Sequence, residues 1–313
     1  MFDIVGKRYV YFALSSLFIL LGIAAMLYSL ATVGTIWRLS IDFTGGSLLE
    51  ARFDKVVQPA EVRQVFVDAG FGDTQVQTDS TGRTALIRAK ALEPEQKTAL
   101  MAALRDKLGN FEELRYESVG PTIGAEVTRT AAIATVAAAL IILLFIIFAF
   151  RRVPNAFRYG VCAIIAMIHD LLVVSGFFAL MGVLRGWEVD SLFLTAILTV
   201  TGFSVQDTIV VFDRIRENVP KRRGEPFEVV VNRSLLETLH RSLVTQLNAI
   251  FVLVAVAFFG GVTMRQFALV LLVGMLTGTY SSIFNAVPLL VVWEKGEIGA
   301  FFRRLFGRQQ AVA

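Results

Sequence analysis

Six long apolar windows constrain the fold of this chain more than any other feature of its sequence. Each is long enough to cross a hydrocarbon core of roughly 30 Å at about 1.5 Å of helical rise per residue. Because lipid cannot satisfy backbone hydrogen bonds, such windows predict membrane-spanning α-helices. A mean hydropathy of +0.65 with 18% charged residues argues against an ordinary soluble protein. The predicted transmembrane helices are residues 9–33, 130–150, 159–184, 191–212, 242–262 and 266–293.

The first window has some features of a secretion signal. Lys7 and Arg8 precede it, and Ser29-Leu30-Ala31 resembles a cleavage site. Its apolar run is longer than that of a signal peptide. We therefore expect this segment to remain in the protein as a membrane anchor.

Basic residues between the windows predict the orientation of the chain, because cytoplasmic loops carry the excess of Lys and Arg. The short loops on one side hold only Arg185 and Arg265. The segments on the other side hold 16 of the 30 basic residues, and they are residues 1–8, 151–158, 213–241 and 294–313. We therefore expect a cytoplasmic N-terminus (1–8), a cytoplasmic connection (213–241) and a cytoplasmic tail (294–313).

Residues 38–129 have the balanced charge of a soluble domain, with 12 basic and 14 acidic residues. Alternating strand and helix patterns predict the element order βαββαβ. That order is typical of the ferredoxin-like α+β fold, which we expect for an extracytoplasmic domain between the first two transmembrane helices. The predicted strands are 47–53, 75–78, 84–88 and 111–119, and the predicted helices are 59–69 and 94–108.

This domain carries none of the sequence patterns that indicate catalysis. It has no GxGxxG, no Ser/His/Asp set and no metal-ligand cluster. Its basic residues do not cluster as in a nucleic-acid interface. The chain's single cysteine, Cys162, cannot form an intrachain disulfide. We expect no enzymatic activity, no cofactor, no metal and no nucleic acid, and we interpret the domain as a binding or lever module.

Glycine-rich segments flank the domain on both sides. Gly45 and Gly46 follow the first window, and Gly120, Pro121 and Gly124 precede the second. Glycine permits backbone conformations and close approaches that other residues do not. These positions are interpreted either as domain hinges or as simple connecting turns.

Asp207 is the most informative polar residue inside a predicted transmembrane helix. A charged group near the bilayer centre costs roughly 3 kcal/mol, so it indicates a partner, a cavity or a task. On the next helix a polar stripe at i, i+4 and i+7 spacing begins at the cytoplasmic interface with Arg241, Thr245 and Asn248. We interpret Asp207 and Arg241 as a proton relay in which movement of the arginine loads or releases a proton. For Arg241, an interfacial arginine reaching the lipid headgroups is an equally good interpretation.

Two further features lie in the third window and in the cytoplasmic connection. His169 and Asp170, in the third window, suit either a hydrogen-bonded pair that fixes helix packing or part of a proton path. Residues 225–240 place apolar side chains on one face, which predicts an amphipathic helix along the inner membrane surface. Those side chains are Phe227, Val231, Leu235 and Leu239.

The sequence resembles the SecF subunits of the SecD/SecF family of bacterial protein export. The resemblance spans nearly the whole chain in the family's order, and Gln206 replaces an asparagine that usually precedes the aspartate. The matching segments are IDFTGGSLLE (Ile41–Glu50), VGPTIGAE (Val119–Glu126), HD (His169-Asp170), GFSVQDTIVVFDRIREN (Gly202–Asn218), NRSLLETLHRSL (Asn232–Leu243) and SSIFNAVPL (Ser281–Leu289).

The resemblance implies a location, partners and a mechanism. It implies half of a resistance-nodulation-division transporter in the bacterial inner membrane, paired with SecD and assisting polypeptide export through SecYEG by means of the proton-motive force. YidC/YajC, the translocating polypeptide and membrane lipid are further implied partners. Asp207 and Arg241 match the essential aspartate and arginine of the family. Two alternatives are a non-conducting structural subunit and half of another proton-coupled transporter of that superfamily.

Overall fold

The computed structural model describes residues 2–79, 81–151, 155–260 and 262–297. The predicted tail beyond residue 297 therefore lies outside the described residues. In chain order the helices are α1 (Arg8–Val33), α2 (Ile41–Thr44), α3 (Pro59–Asp68), α4 (Pro94–Leu108), α5 (Pro121–Ala149), α6 (Ala156–Arg185), α7 (Ser191–Lys221), α8 (Phe227–Phe259), α9 (Val262–Ser281) and α10 (Val287–Glu294). The strands are β1 (Gly46–Phe53), β2 (Gln75–Thr78), β3 (Thr84–Ala89) and β4 (Phe111–Val119).

The described chain contains six helical segments that are long and apolar enough to cross a membrane, as the sequence predicts. They are α1, α5, α6, α7, α8 and the combined α9 and α10. The chain divides into two compact units. The α/β domain comprises Leu39–Ala134 and Glu188–Ser191, and the helical unit comprises the rest of the described chain.

The core of the helical unit lies around α6, α7 and α10. Tyr159 and Phe212 pack edge to face, with ring centroids 5.2 Å apart, and Phe150 stacks on Tyr159. Ile215 and Leu290 are buried in the same cluster. In contrast, α1, α5 and α8 bury only a small share of their apolar windows within the described structure. Such faces suit contact with lipid or with another membrane protein.

A close helix contact in this unit joins α1 to α6 at two glycines. A Cβ atom built on Gly176 would lie 2.2 Å from the Cα atom of Gly22. No side chain fits at that distance, so this crossing requires glycine. Small residues that allow such close approach are a recurring feature of membrane helix packing.

A π-helical turn, Ser282–Ala286, separates α9 from α10 in the segment predicted as one continuous helix. Pro288 follows this turn and has no N–H to donate to the carbonyl of Phe284 four residues earlier. The missing hydrogen bond accounts for the local change of helix type. π-Turns inside α-helices occur frequently at functional sites.

The prediction of a separate amphipathic surface helix is wrong. Residues 227–259 form one continuous helix, α8, which includes both that stretch and the fifth transmembrane window. The predicted apolar face exists, but Val231 and Leu235 are buried in the protein core next to Ile215 of α7, which extends to Lys221. An apolar helix face suits a membrane surface and a protein core equally well, and here α7 supplies the partner.

The α/β domain has the predicted element order, with the strands in the order β2-β3-β1-β4 and all neighbours antiparallel. Alternate residues of β1 are buried, including Leu49, Ala51 and Phe53. Phe66 of α3 and Leu104 of α4 pack into the same core. Both helices begin with proline at the first turn, where a missing N–H costs nothing.

Candidate functional site: buried polar residues of the helical unit

Asp207 is buried in the helical unit on α7, with 6% of its surface exposed. Its Oδ2 atom accepts a hydrogen bond of 2.7 Å from Nε2 of Gln246 on α8. Gln246 is itself 3% exposed, and its Oε1 atom has no hydrogen-bond partner among the described residues. The site therefore combines a carboxylate with an amide that retains an unused acceptor.

The predicted stripe on α8 lies elsewhere on that helix. Arg241, Thr245 and Asn248 are exposed, and the Thr245 hydroxyl donates to the Arg241 carbonyl. Among the described residues no hydrogen bond or ion pair joins Arg241 to Asp207, so the expected direct pair is absent from this arrangement. At about 100° per residue, Arg241 lies roughly 140° around the helix from Gln246. Gln206 is also exposed, next to Asp207 in sequence but on another face of α7.

Gln246 is a site residue that is not among those predicted from the sequence. Its signal was the spacing of Ser242 and Gln246 at i and i+4, a second polar row on α8 beside the predicted one. Both are buried, whereas the predicted stripe is exposed. Which of two adjacent polar rows faces inward depends on the position of α7, so the sequence of α8 could not decide between them.

Asp170 lies at the centre of a second buried polar cluster, which joins three helices. Its Oδ2 atom accepts hydrogen bonds from the hydroxyls of Ser204 on α7, at 2.5 Å, and Ser281 on α9, at 2.7 Å. Its Oδ1 atom is 2.9 Å from Nδ1 of His169. Ser204 precedes Asp207 by one helical turn on α7. This helix therefore carries hydrogen-bonding groups of both clusters.

The glycine segments that flank the α/β domain pack directly against each other. A Cβ atom on Gly45, whose φ is +70°, would lie 2.8 Å from the Cα atom of Pro121. One on Gly124 would lie 2.7 Å from the Gly45 nitrogen. Gly46 has φ +130°, while a Cβ atom on Gly120 would meet no atom within 4 Å. Close packing explains three of these glycines, and a hinge function for the segments stays a prediction.

The loop before α7 belongs to the α/β domain, and polar contacts join it to the rest of that domain. The Asp42 carboxylate accepts hydrogen bonds from the Ser191 N–H at 2.9 Å and from the Ser191 hydroxyl at 2.6 Å. Ser191 is the first residue of α7 and belongs to the same compact unit as Asp42, so this carboxylate caps the first turn of the helix within that unit. Glu188 pairs with Arg88 of β3 at 2.8 Å, and both side chains are about 15% exposed.

We predict that reversing one charge of the Arg88–Glu188 pair destabilises the α/β domain by about 3 kcal/mol, because a largely buried charge then loses its partner. R88E and E188R should each increase amide hydrogen exchange in β3 of the full-length protein. The R88E/E188R double variant should recover more than half of the protection. Equal exchange in all four proteins would show that the pair contributes nothing.

The described residues contain no group of three or more His, Cys, Asp or Glu side chains that could hold a metal ion. The buried polar clusters are built from carboxylates, hydroxyls, an amide and one imidazole. Proton binding is the chemistry that such groups support.

Two family matches cover most of the chain. Residues 99–296 match the family described as "Protein export membrane protein SecD/SecF, C-terminal", and residues 38–55 match "SecD/SecF GG Motif". The chain is 49% identical over 308 residues to "Protein translocase subunit SecF" of Anaerolinea thermophila, covering 97% of this chain and 98% of that protein. It is 48% identical over 316 residues to the protein of that name from Thermobaculum terrenum, with the same coverage.

The fold is similar to solved structures of SecDF. The crystal structure of SecDF from Thermus thermophilus, described as a translocon-associated membrane protein, superposes with a TM-score of 0.80 at 33% identity. A structure of SecDF in a super-membrane-facing form gives a TM-score of 0.65 at 31% identity. The match covers 94% of this chain but 39% of the first SecDF chain, so this chain spans about two fifths of its length.

Proposed function

Because this chain belongs to the SecD/SecF family of protein export membrane proteins, we propose that it uses the proton-motive force to assist polypeptide export as the SecF-like subunit of a SecD–SecF complex. Proton coupling is supported by the Asp207 carboxylate, which is buried and has a neutral amide as its hydrogen-bond partner. An amide donates a hydrogen bond but leaves the negative charge uncompensated, and a charge in the membrane core costs roughly 3 kcal/mol. Binding a proton removes that cost.

Gln246 suits both protonation states of Asp207. The ionised carboxylate accepts the hydrogen bond from Nε2. The protonated carboxyl group needs an acceptor for its O–H, and Oε1 of Gln246 is buried without a partner among the described residues. Because this amide offers both a donor and an acceptor, Asp207 can bind and release a proton while its buried polar atoms keep a hydrogen-bond partner.

Arg241 acts in this proposal from the other face of α8. Together with Thr245 and Asn248 it forms an exposed polar stripe on a helix whose other exposed residues are largely apolar. A guanidinium at the edge of a transmembrane segment is stabilised by a nearby counter-charge. We assign that stripe to the face that SecD covers. The family resemblance further implies that SecD supplies an aspartate that faces Asp207. The proton relay then requires both subunits.

The remaining assignments follow from the family and the charge pattern. We place the protein in the bacterial inner membrane with both termini cytoplasmic and the α/β domain on the opposite side. The strand order β2-β3-β1-β4 supports a ferredoxin-like fold for that domain. SecYEG, YidC/YajC and the translocating polypeptide are proposed partners, and the role involves no chemical catalysis.

Co-purification and export assays test this proposal. The chain should co-purify with SecD, and vesicles holding both with SecYEG should export a polypeptide faster when a proton gradient is imposed. Export that ignores the gradient would favour the non-conducting structural subunit. Failure to bind SecD, combined with proton-dependent movement of a small molecule, would favour another transporter of the superfamily.

A further inference from the structure

The relay proposed above uses Asp207 and leaves the Asp170 cluster unassigned. Asp170 is 1% exposed and accepts hydrogen bonds from two hydroxyls. Hydroxyls do not neutralise a negative charge, and no Lys or Arg forms an ion pair with Asp170 among the described residues. The one partner that can become positive is His169, through Nδ1 at 2.9 Å. The charge state of this cluster therefore depends on a proton.

His169 retains a free position for that proton. Its Nδ1 atom faces the Oδ1 atom of Asp170, so the ionised carboxylate selects the tautomer that carries hydrogen on Nδ1. The Nε2 atom then carries a lone pair. The side chain is 6% exposed, and Nε2 has no hydrogen-bond partner in the described part of the chain. A buried imidazole with an unused lone pair beside a carboxylate is a proton acceptor.

Among the described residues, no Lys or Arg forms a hydrogen bond or an ion pair with His169. Its ring lies 6.3 Å from that of Tyr280 on α9, in a stacked arrangement. The Tyr280 hydroxyl donates to the Tyr11 carbonyl of α1. On α7 the nearest ionisable residue to Ser204 in sequence is Asp207. The groups that face the pair are thus neutral or acidic, and a negative charge 2.9 Å away stabilises an imidazolium.

We propose that His169 and Asp170 form a second proton-binding site inside the helical unit, with Nε2 of His169 as the acceptor. A proton from water forms an N–H bond at Nε2, and the net charge of the pair changes from −1 to zero. Release breaks the same bond and returns the proton to water. Because Ser204 and Ser281 bond to the carboxylate, the change in charge acts on α7 and α9 together. The inference rests on the proposed function in so far as this site serves the same proton current.

Histidine NMR tests proton binding without any export assay. The chain has two histidines, and the other, His240, is exposed on α8. In H240Q labelled with ¹⁵N-histidine and held in lipid nanodiscs with SecD, every imidazole signal from this chain belongs to His169. Using unlabelled SecD, spectra are recorded over a range from about pH 9 to about pH 5, and we expect an imidazolium signal to replace that of the Nδ1–H tautomer as the pH is lowered. A single neutral tautomer across that range would overturn the proposal.

Two variants separate proton binding from packing. D170N keeps the size of the side chain but removes the counter-charge of the imidazolium, so the titration of His169 should differ from that in H240Q alone. S204A removes a hydrogen bond and no titratable group, so the titration should persist. An unchanged midpoint in D170N would overturn the pairing with Asp170. If D170N does not accumulate, the H240Q titration alone decides the question.

Different experimental results would reject the second proton-binding site and the proposed function. If D207N loses gradient-dependent export while His169 stays neutral, the second site is wrong and the relay stands. If His169 titrates but D207N exports normally, the second site stands as a proton-binding site and the proposed relay is wrong.

Discussion

Asp207→Asn is expected to abolish the gradient-dependent part of polypeptide export, lowering its rate by more than about tenfold. Asparagine keeps the size of the side chain and a hydrogen bond to Gln246 but cannot bind and release a proton. One proton crossing 100 mV supplies about 2.3 kcal/mol, which corresponds to a bias of roughly fortyfold. Export by vesicles under an imposed gradient measures this loss directly.

Asp213→Asn is the matched control for this prediction. Asp213 lies on the same helix, its side chain is 47% exposed, and it pairs with Arg216 one turn later. The chemical change is identical, but an exposed ion pair contributes at most about 1 kcal/mol. Export by D213N should stay within about twofold of the wild type. Gradient-dependent export by D207N at the level of D213N would remove Asp207 from the relay.

Gly176→Ala should destabilise the helical unit by about 1–3 kcal/mol, the usual cost of overpacking a tightly packed site. The new Cβ atom would lie 2.2 Å from the Cα atom of Gly22, which is backbone and cannot rotate away. Alanine is otherwise favoured over glycine in a helix by roughly 0.5–1 kcal/mol, so the clash must exceed that gain. The expected result is a thermal midpoint lower by several degrees in detergent.

Gly202→Ala provides the opposite expectation in the same protein. Gly202 lies in α7, and a Cβ atom there would meet no atom within 4 Å. Without a steric clash, the higher helix preference of alanine is the only effect. The thermal midpoint of unfolding should therefore stay the same or rise. A stable G176A protein would show that α1 and α6 do not cross at these glycines.

The six transmembrane helices and the order of elements in the α/β domain could be predicted because their signals are local. A window of apolar residues determines whether a helix can cross the membrane, and strand or helix periodicity is legible within about ten residues. The predicted strands at 75–78 and 111–119 agree with β2 and β4. The family assignment, made from motifs distributed along the chain, is confirmed by the comparisons.

The contacts of the candidate site could not be predicted, because they join residues that are distant in sequence. Asp207 and Gln246 are 39 residues apart, and Asp42 and Ser191 are 149 apart. Nothing near Asp42 in the sequence indicates that its carboxylate accepts hydrogen bonds from Ser191, which follows two transmembrane segments later in the chain. For α8 the sequence shows two polar rows and an apolar face. Only the packing of α7 decides which row is buried.

Proton flux into vesicles tests whether Asp207 binds and releases the protons that drive export. It measures proton movement separately from polypeptide movement. The chain would be reconstituted with SecD, a pH-sensitive dye would be enclosed, and a membrane potential would be imposed in the presence of a translocating polypeptide. We expect proton entry in the wild type and in D213N, and entry no faster than in empty vesicles for D207N. Equal proton entry in D207N and wild type would contradict it.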